Sequence, residues 1–381
     1  MKVIINALSA RKGGIVTYTN NLARSLMKRD IEPIFAVSNN FHLDENVPSI
    51  RLDIDYMPPV RRLIWEQTVW RYIVAKHKPD ILFSSANFGL LGSPVPQVLL
   101  VREGGLFDPF YLVNIGPSLG IQSILNRSLR RRLIIASARS SQNVLVPTKA
   151  LKNLIISWAG DLEGRIKVNE YGTISKFYSV QEKNRKWREG DLLRILYISA
   201  YYPHKQPGLI SEAVCQLNKQ GIRCELTLTM ELEDIDKTFG GAKDLFLLKK
   251  GVERGQIKLV GNKGYAQLPD IYNAHDLFVF PSLSETFGHP LAEAMSTGLP
   301  IIASDTLVHR EVCKGAALYF SPLSVSDLVK KIELLIESQN LRESITTAGK
   351  KNVKDNYIWE SHVNRLINDF RKIKESYDQC D

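Results

Sequence analysis

Short apolar runs recur along this chain, each paired with a longer segment of helical periodicity. In the first half the runs are Val3–Asn6, Ile34–Val37, Ile81–Phe83, Val98–Val101 and Val144–Val146. Between them, Tyr18–Lys28, Arg61–Lys76 and Lys149–Ser157 place apolar residues three and four apart. Runs of three or four apolar residues predict strands buried on both faces, and the amphipathic segments predict helices packed on them. The rhythm restarts with Arg194–Ser199, the helix Gly208–Lys219, and strands at Cys224–Thr229, Ile257–Val260, Leu277–Phe280 and Pro300–Ala303. Helices follow to Glu337 with Ser326 as N-cap, over Leu341–Asn352, and over Trp359–Tyr377. Strands alternating with helices predict an α/β protein with parallel sheets. The expected organisation is a Rossmann-like domain at 1–176, a polar linker at 177–190 and a second Rossmann-like domain at 191–360. The terminal helix, 361–381, is expected to cross back to the first domain. Open parallel sheets bind ligands beyond the carboxyl ends of their strands. Two such sheets are therefore expected to face a central cleft.

Composition narrows the class. With 44% apolar and 24% charged residues in 381, the chain has ample material for two cores, which excludes a disordered, collagenous or disulfide-stapled protein. The net charge of +10 is uneven. Residues 1–190 hold 27 Lys and Arg against 15 Asp and Glu, whereas 191–381 hold 23 against 25. The whole basic excess thus belongs to the first half, and it predicts an anionic partner there. Met1–Asn6 is too short for a signal-peptide core and no run reaches membrane-helix length, so a cytoplasmic location is expected. The cysteines, Cys215, Cys224, Cys313 and Cys380, form no ligand-type spacing and are expected to be reduced structural thiols.

The most informative stretch follows the strand Leu277–Phe280: Pro-Ser-Leu-Ser-Glu285-Thr-Phe287-Gly288-His289-Pro290-Leu-Ala-Glu293-Ala-Met. Pro290 suits a first helical turn, Gly298 the position after the helix end, and Pro300 stops continuation, giving a helix over about 290–297. Leu291, Ala294 and Met295 share its core face, and Glu293 lies off that stripe. Glu285 in the loop and Glu293 in the helix then flank the amides of Phe287, Gly288 and His289. Helix N-terminal amides suit phosphate or hydroxyl oxygens, and carboxylates accept hydrogen bonds from vicinal hydroxyls. The combination describes a site for a sugar attached to a phosphate. A lone glutamate pair more often favours the helix dipole from the surface; the Phe-Gly insert and flanking elements reverse that preference here.

Glu285-x7-Glu293, with the following Gly298-Leu-Pro-Ile-Ile-Ala-Ser-Asp305 and Glu311-Val312, resembles the signature of retaining glycosyltransferases of family 4, which have the GT-B fold. The likeness covers most of 191–360 and is looser over 1–175. The resemblance implies a nucleotide-diphosphate sugar as donor, with Glu293 holding the ribose, Glu285 the donor-sugar hydroxyls, and the Phe287–Gly288 amides helping to hold the sugar.

Other positions extend the site. Lys205, just past the strand Ile195–Ser199, is placed to neutralise a diphosphate as a point charge and matches the family lysine. The usual family arginine is Ala200 here, and His204 is the candidate substitute. Gly13 and Gly14 resemble the family's N-terminal glycine loop facing the donor. Gly261, Asn262 and Lys263 resemble a loop whose backbone reads the nucleobase. Where the family carries a histidine after the fourth strand, this chain has Arg102-Glu103; they are candidates for that role, or they simply pair with each other. His275 and Asp276 read as a helix end entering a strand.

In the basic half, Arg127, Arg130, Arg131 and Arg132 sit in a segment with Leu125, Leu129, Leu133 and Ile134, and Arg61, Arg62 and Arg71 accompany Ile64, Trp65 and Trp70 in another. Each reads either as a solvated face over a core stripe or as a surface for anionic lipid. The expected function is retaining, metal-independent transfer of a hexose, mannose- or rhamnose-like, to a saccharide or lipid-linked saccharide in surface polysaccharide or lipopolysaccharide synthesis. The leaving diphosphate itself is expected to take the acceptor proton, and no cofactor is expected. Peripheral docking on the inner face of the cytoplasmic membrane is expected, and nucleic acid is not, because no recognised module is visible. The competing classes are a non-catalytic nucleotide-sugar-binding protein of this fold and a nicotinamide-dependent oxidoreductase. The latter is disfavoured because no G-x-G-x-x-G follows the first strand.

Overall fold

The computed structural model describes every residue except Lys12, Ser175, Lys176, 178–186, Arg188, Glu189, Cys380 and Asp381. The expected linker, 177–190, falls almost wholly outside the described residues, as does Cys380. Two compact units emerge: Met1–Phe107 with Leu125–Glu170 and Glu360–Asp381, and Asp108–Ile124 with Tyr171–Trp359.

The first unit holds a seven-stranded sheet in the order β3-β2-β1-β4-β5-β6-β7, all parallel. Its strands are β1 (Lys2–Asn6), β2 (Glu32–Ser38), β3 (Ser49–Leu52), β4 (Ile81–Ser84), β5 (Gln97–Leu100), β6 (Asn143–Val146) and β7 (Ile166–Val168). The central strands are buried on both faces, as their unbroken apolar runs require. The edges β3 and β7 carry no such run, and the periodicity does not announce them. The segment 61–76 is one continuous helical stretch broken by a π turn at Glu66–Trp70. The terminal helix Trp359–Asp378 packs on this sheet: Asp369 accepts from Lys167 of β7 and Asn143 of β6, and Phe370 packs on Phe83 of β4.

The second unit holds a six-stranded parallel sheet in the order β10-β9-β8-β11-β12-β13. These strands are β8 (Leu193–Tyr197), β9 (Cys224–Leu228), β10 (Ile257–Leu259), β11 (Leu277–Phe280), β12 (Ile301–Ser304) and β13 (Leu318–Phe320). In both sheets the order reverses beside the first strand, at β1/β4 and at β8/β11. Crevices form at such switch points because the connections leave to opposite sides. The helix Val325–Glu337 is capped by Ser324, whose hydroxyl accepts from the Asp327 amide, so the cap lies two residues before Ser326. Cys224 and Cys313 are buried free thiols and Cys215 is partly exposed. No helix among the described residues is long and apolar enough to cross a membrane.

Candidate active site

At the switch point of the second unit, the loop after β8 meets the loop after β11. The first loop ends in a single 3-10 turn, Pro203–Lys205, before the helix Pro207–Lys219. It is tied down three times. The buried Tyr197 hydroxyl donates to the Lys205 carbonyl at 2.9 Å, the Leu283 amide to the His204 carbonyl at 2.9 Å, and the Tyr201 hydroxyl to Asp244 at 2.9 Å. Asp244 also accepts from the Gly208 amide, which opens the next helix. These tethers set the Lys205 ammonium directly on Glu285, eighty residues away in sequence.

The pair is mostly buried, each side chain 13% exposed. Burial opposes ionisation of Glu285. The Lys205 ammonium, the His204 ring and hydrogen bonds from Lys205 and Ser282 outweigh it and hold the Glu285 pKa below the ordinary carboxylate range. Glu285 therefore stays ionised across the neutral range. The His204 ring stacks on Tyr202 and meets Tyr111 edge-on at 5.5 Å.

The expected helix after this loop runs over His289–Ser296. Gly288 is its N-cap with φ +81°, a conformation costly for any residue with a Cβ. No side chain caps the helix. Phe287 and His289 are held from behind by Tyr171, stacked on His289 at 4.8 Å and edge-on to Phe287 at 5.5 Å. Tyr357 adds a second edge contact to Phe287. The helix is buried on nearly every side, so Glu293, off the apolar stripe, is buried too.

Glu293 and Glu285 have different environments. Glu293 is 4% exposed and accepts from the Tyr272 hydroxyl at 2.8 Å. Burial pushes its pKa up to about 7, against hydrogen bonds from Tyr272 and Tyr265 that favour the carboxylate. One carboxylate is thus fixed in its charged form by a cation, while the other is poised near neutrality in an apolar setting.

Other expected residues lie where their loops carry them. Gly261 adopts φ +66° against Glu231, and Asn262 and Lys263 are exposed beyond β10. Gly13 (φ +72°) caps the helix Gly14–Leu26, with open space where a side chain would stand at either glycine. Arg102 follows β5; its amide donates to Asn87 and its guanidinium lies 4.9 Å over the Tyr18 ring. The Tyr18 hydroxyl donates to His362 Nε2, because His362 Nδ1 donates to the Glu170 carbonyl. Glu103 does not pair with Arg102; it pairs with Arg130 at 2.6 Å. His275 and Asp276 serve as helix end and strand entry: His275 Nδ1 bonds the Ile271 carbonyl and Asp276 accepts from the Arg194 amide.

Sequence reasoning passed over Tyr272, Tyr171 and His309. Tyr272 shares a helix face with Leu268 and reads as core. His309 is fully buried, with Nδ1 bonded to the Ser304 carbonyl, and its environment is assembled by the fold alone.

Residues 179–352 match the family described as glycosyl transferases group 1. Over 125 residues, 33% of this chain, the chain is 32% identical to the O-antigen chain mannosyltransferase B of Escherichia coli; that stretch spans 32% of the relative. Among solved structures, sucrose-phosphate synthase from Thermosynechococcus elongatus superposes with a TM-score of 0.78 at 16% identity, covering 99% of this chain and 100% of that one. HepE of Anabaena in complex with UDP-glucose superposes with a TM-score of 0.73 at 16% identity, covering 98% and 100%. These likenesses establish the fold of two Rossmann-like units, the GT-B architecture.

Proposed function

We propose, on the match of residues 179–352 to the glycosyl transferases of group 1, that the chain transfers a hexose from a nucleotide-diphosphate sugar with retention of anomeric configuration. The observation that carries this reading is the Lys205–Glu285 pair at the β8/β11 switch point, directly before an uncapped helix N-terminus. Lys205 offers the diphosphate a fixed cation, and helix amides offer it further donors. His204 stands beside this pair in place of the family arginine. Glu285, ionised by Lys205, accepts hydrogen bonds from donor-sugar hydroxyls, and Glu293 accepts those of the ribose. The Gly261–Lys263 backbone faces the nucleobase in this reading.

In the reaction, the bond from the anomeric carbon to the diphosphate oxygen breaks. The acceptor oxygen bonds that carbon from the same face, and its proton passes to the departing phosphate oxygen. Stabilising the developing charge on that phosphate is the main task, and Lys205 performs it without a metal ion.

The likeness to an O-antigen mannosyltransferase supports a mannose-like donor and a lipid-linked or saccharide acceptor in surface polysaccharide synthesis. The basic first unit exposes Val60, Ile64 and Tyr72 beside Arg61 on its helical stretch, with Tyr56 exposed just before it, which supports peripheral docking on anionic lipid.

The test is incubation of the purified protein with GDP-mannose, UDP-glucose and dTDP-rhamnose plus a lipid-linked saccharide acceptor, with NMR of the product's anomeric centre. A retained anomer formed in the presence of EDTA supports the reading. An inverted anomer, or activity abolished by EDTA and restored by a divalent ion, overturns its mechanism. Donor binding with no product under any acceptor would favour the non-catalytic alternative, for which Ala200 in place of arginine is the supporting observation.

A further inference from the structure

The proposed ribose-holding carboxylate is not left to itself. Tyr272, from the helix Leu268–Ala274, points its hydroxyl at Glu293 Oε2 at 2.8 Å and is itself fully buried. Its ring is fixed by Phe278 at 5.6 Å and Phe177 at 6.0 Å. Phe177 also packs on Tyr265 at 5.3 Å, and Tyr265 closes the loop Gly261–Tyr265 and supplies Glu293 with a second hydroxyl contact. The segment 261–272 thus carries, within one loop and one short helix, both the candidate base-reading backbone and the two phenols that address Glu293.

Four facts bear on what this does. A buried carboxylate without hydrogen bonds either protonates or finds another partner. A protonated carboxyl would donate where a vicinal diol also needs to donate, so the neutral form is the wrong partner for ribose hydroxyls. Tyrosine in this apolar setting does not ionise, since burial and the Glu293 charge raise its pKa well above the ordinary value, so its hydroxyl keeps the proton it donates to Glu293. Its single proton engages one carboxylate oxygen and leaves acceptor capacity on the carboxylate for a ligand.

We propose that Tyr272 is a positioning residue for donor binding, its hydroxyl holding the Glu293 carboxylate in the orientation and charge state that accept the hydroxyls of the nucleotide ribose, with Tyr265 as a second such donor that links this carboxylate to the nucleobase loop. The proposal rests on Glu293 as the ribose-holding group. It adds that the affinity for the nucleoside part is set by residues that do not touch it. The ionisable groups that face Glu293 are these two phenols, one from the 3-10 turn Tyr265–Gln267 and one from the helix Leu268–Ala274; burial supplies the opposing influence.

The variant Tyr272→Phe removes one oxygen and keeps the ring packed on Phe278 and Phe177. Three measurements on this chain decide the matter. In carboxyl-carbon NMR titrations with Glu293 assigned by Glu293→Gln, the Glu293 midpoint is expected to move upward in Tyr272→Phe without any ligand present. An unmoved midpoint overturns the proposal. In calorimetry with UDP and GDP, Tyr272→Phe is expected to weaken the nucleotide that binds wild type by about tenfold at pH 7, and by less at pH 9, where the carboxylate is ionised in either protein. In turnover with the corresponding sugar donor, KM rises and kcat changes by less than about threefold. A kcat loss with unchanged KM would overturn the positioning role. If the Glu293 midpoint shifts as expected but neither nucleotide binds wild type, the geometry of the pair holds and it is the donor assignment that fails, taking the positioning role with it.

Discussion

Lys205 and Glu285, eighty residues apart, form one buried ion pair because they leave adjacent strands of one sheet at the point where strand order reverses. The Tyr197, Tyr201 and Leu283 tethers fix the loop that carries Lys205, so the cation is held in place. Preorganised charge of this kind requires no rearrangement when charge develops on a leaving group.

Replacing Lys205 with Met should lower kcat on the order of 100-fold, the usual loss when one preorganised donor to a developing oxyanion is removed. It should also destabilise the protein, because Glu285 is left buried without its cation. Breaking a buried pair from one side costs about 3–5 kcal/mol, less in proportion to the residual exposure here. The double variant Lys205→Met with Glu285→Gln should be more stable than Lys205→Met alone. Urea denaturation of the three proteins checks this; a double variant less stable than the single one would contradict the ion-pair reading.

Glu293 sets a pH dependence whose sign is fixed. Its folded pKa of about 7 lies above the ordinary carboxylate value, so the folded state binds more protons than the unfolded chain between about pH 4.5 and 7. Stability from this group is therefore lost as pH rises through that window. In Glu293→Gln the dependence disappears, so the variant should gain on wild type by about 3 kcal/mol between pH 4.5 and 8. Denaturation midpoints across that range provide the measurement.

Donor binding should show the opposite trend. Ribose hydroxyls donate to the ionised carboxylate, so affinity for the nucleotide should strengthen as pH rises through about 7 and level off above it. Calorimetry in buffers of different ionisation enthalpy should register proton release on binding near pH 7. Proton uptake there would contradict the assignment.

Two glycines should respond in opposite ways. A Cβ at Gly172 would lie 2.3 Å from the backbone of Ile358 and Trp359, where the chain segments bond through Thr173, so Gly172→Ala should cost more than about 3 kcal/mol. Gly14 opens a helix and has free space around it, so Gly14→Ala should stabilise by about 0.4–1 kcal/mol. If the open space serves the substrate, Gly14→Ala should nevertheless lose activity, and paired thermal and kinetic assays separate the two effects.

Membrane docking should depend on the exposed apolar residues of the helical stretch from Pro59 to His77. The double variant Val60→Glu with Ile64→Glu should abolish sedimentation with phosphatidylglycerol vesicles at low salt while leaving thermal stability within about 0.5 kcal/mol, since both side chains are exposed. Unchanged sedimentation would exclude this face.

Much of the architecture was legible in the chain. The central strands of both sheets read directly from apolar runs because burial on both faces leaves no polar position to confuse the period. The edge strands β3, β7 and β13 did not read, since each is only three or four residues and two of them carry a charge. The basic helical segments divided in a way periodicity does not resolve. Trp70 and Ile134 are core, whereas Ile64, Leu125 and Leu129 face outward, and Arg131 is spent on the Trp158 ring and the Leu106 carbonyl.

The same division runs through the site. Sequence alone determined that a loop with Glu285, Phe287 and Gly288 enters a helix carrying Glu293, because proline and glycine chemistry at 288, 290 and 298 acts locally. It also determined that Lys205 follows a strand. Only the tertiary structure decided that Lys205 reaches Glu285, that Glu103 turns to Arg130 rather than to Arg102, and that Tyr272 meets Glu293. Local backbone preference extends a few residues along the chain, whereas side-chain partnership and ionisation depend on which strands become neighbours and what they bury between them.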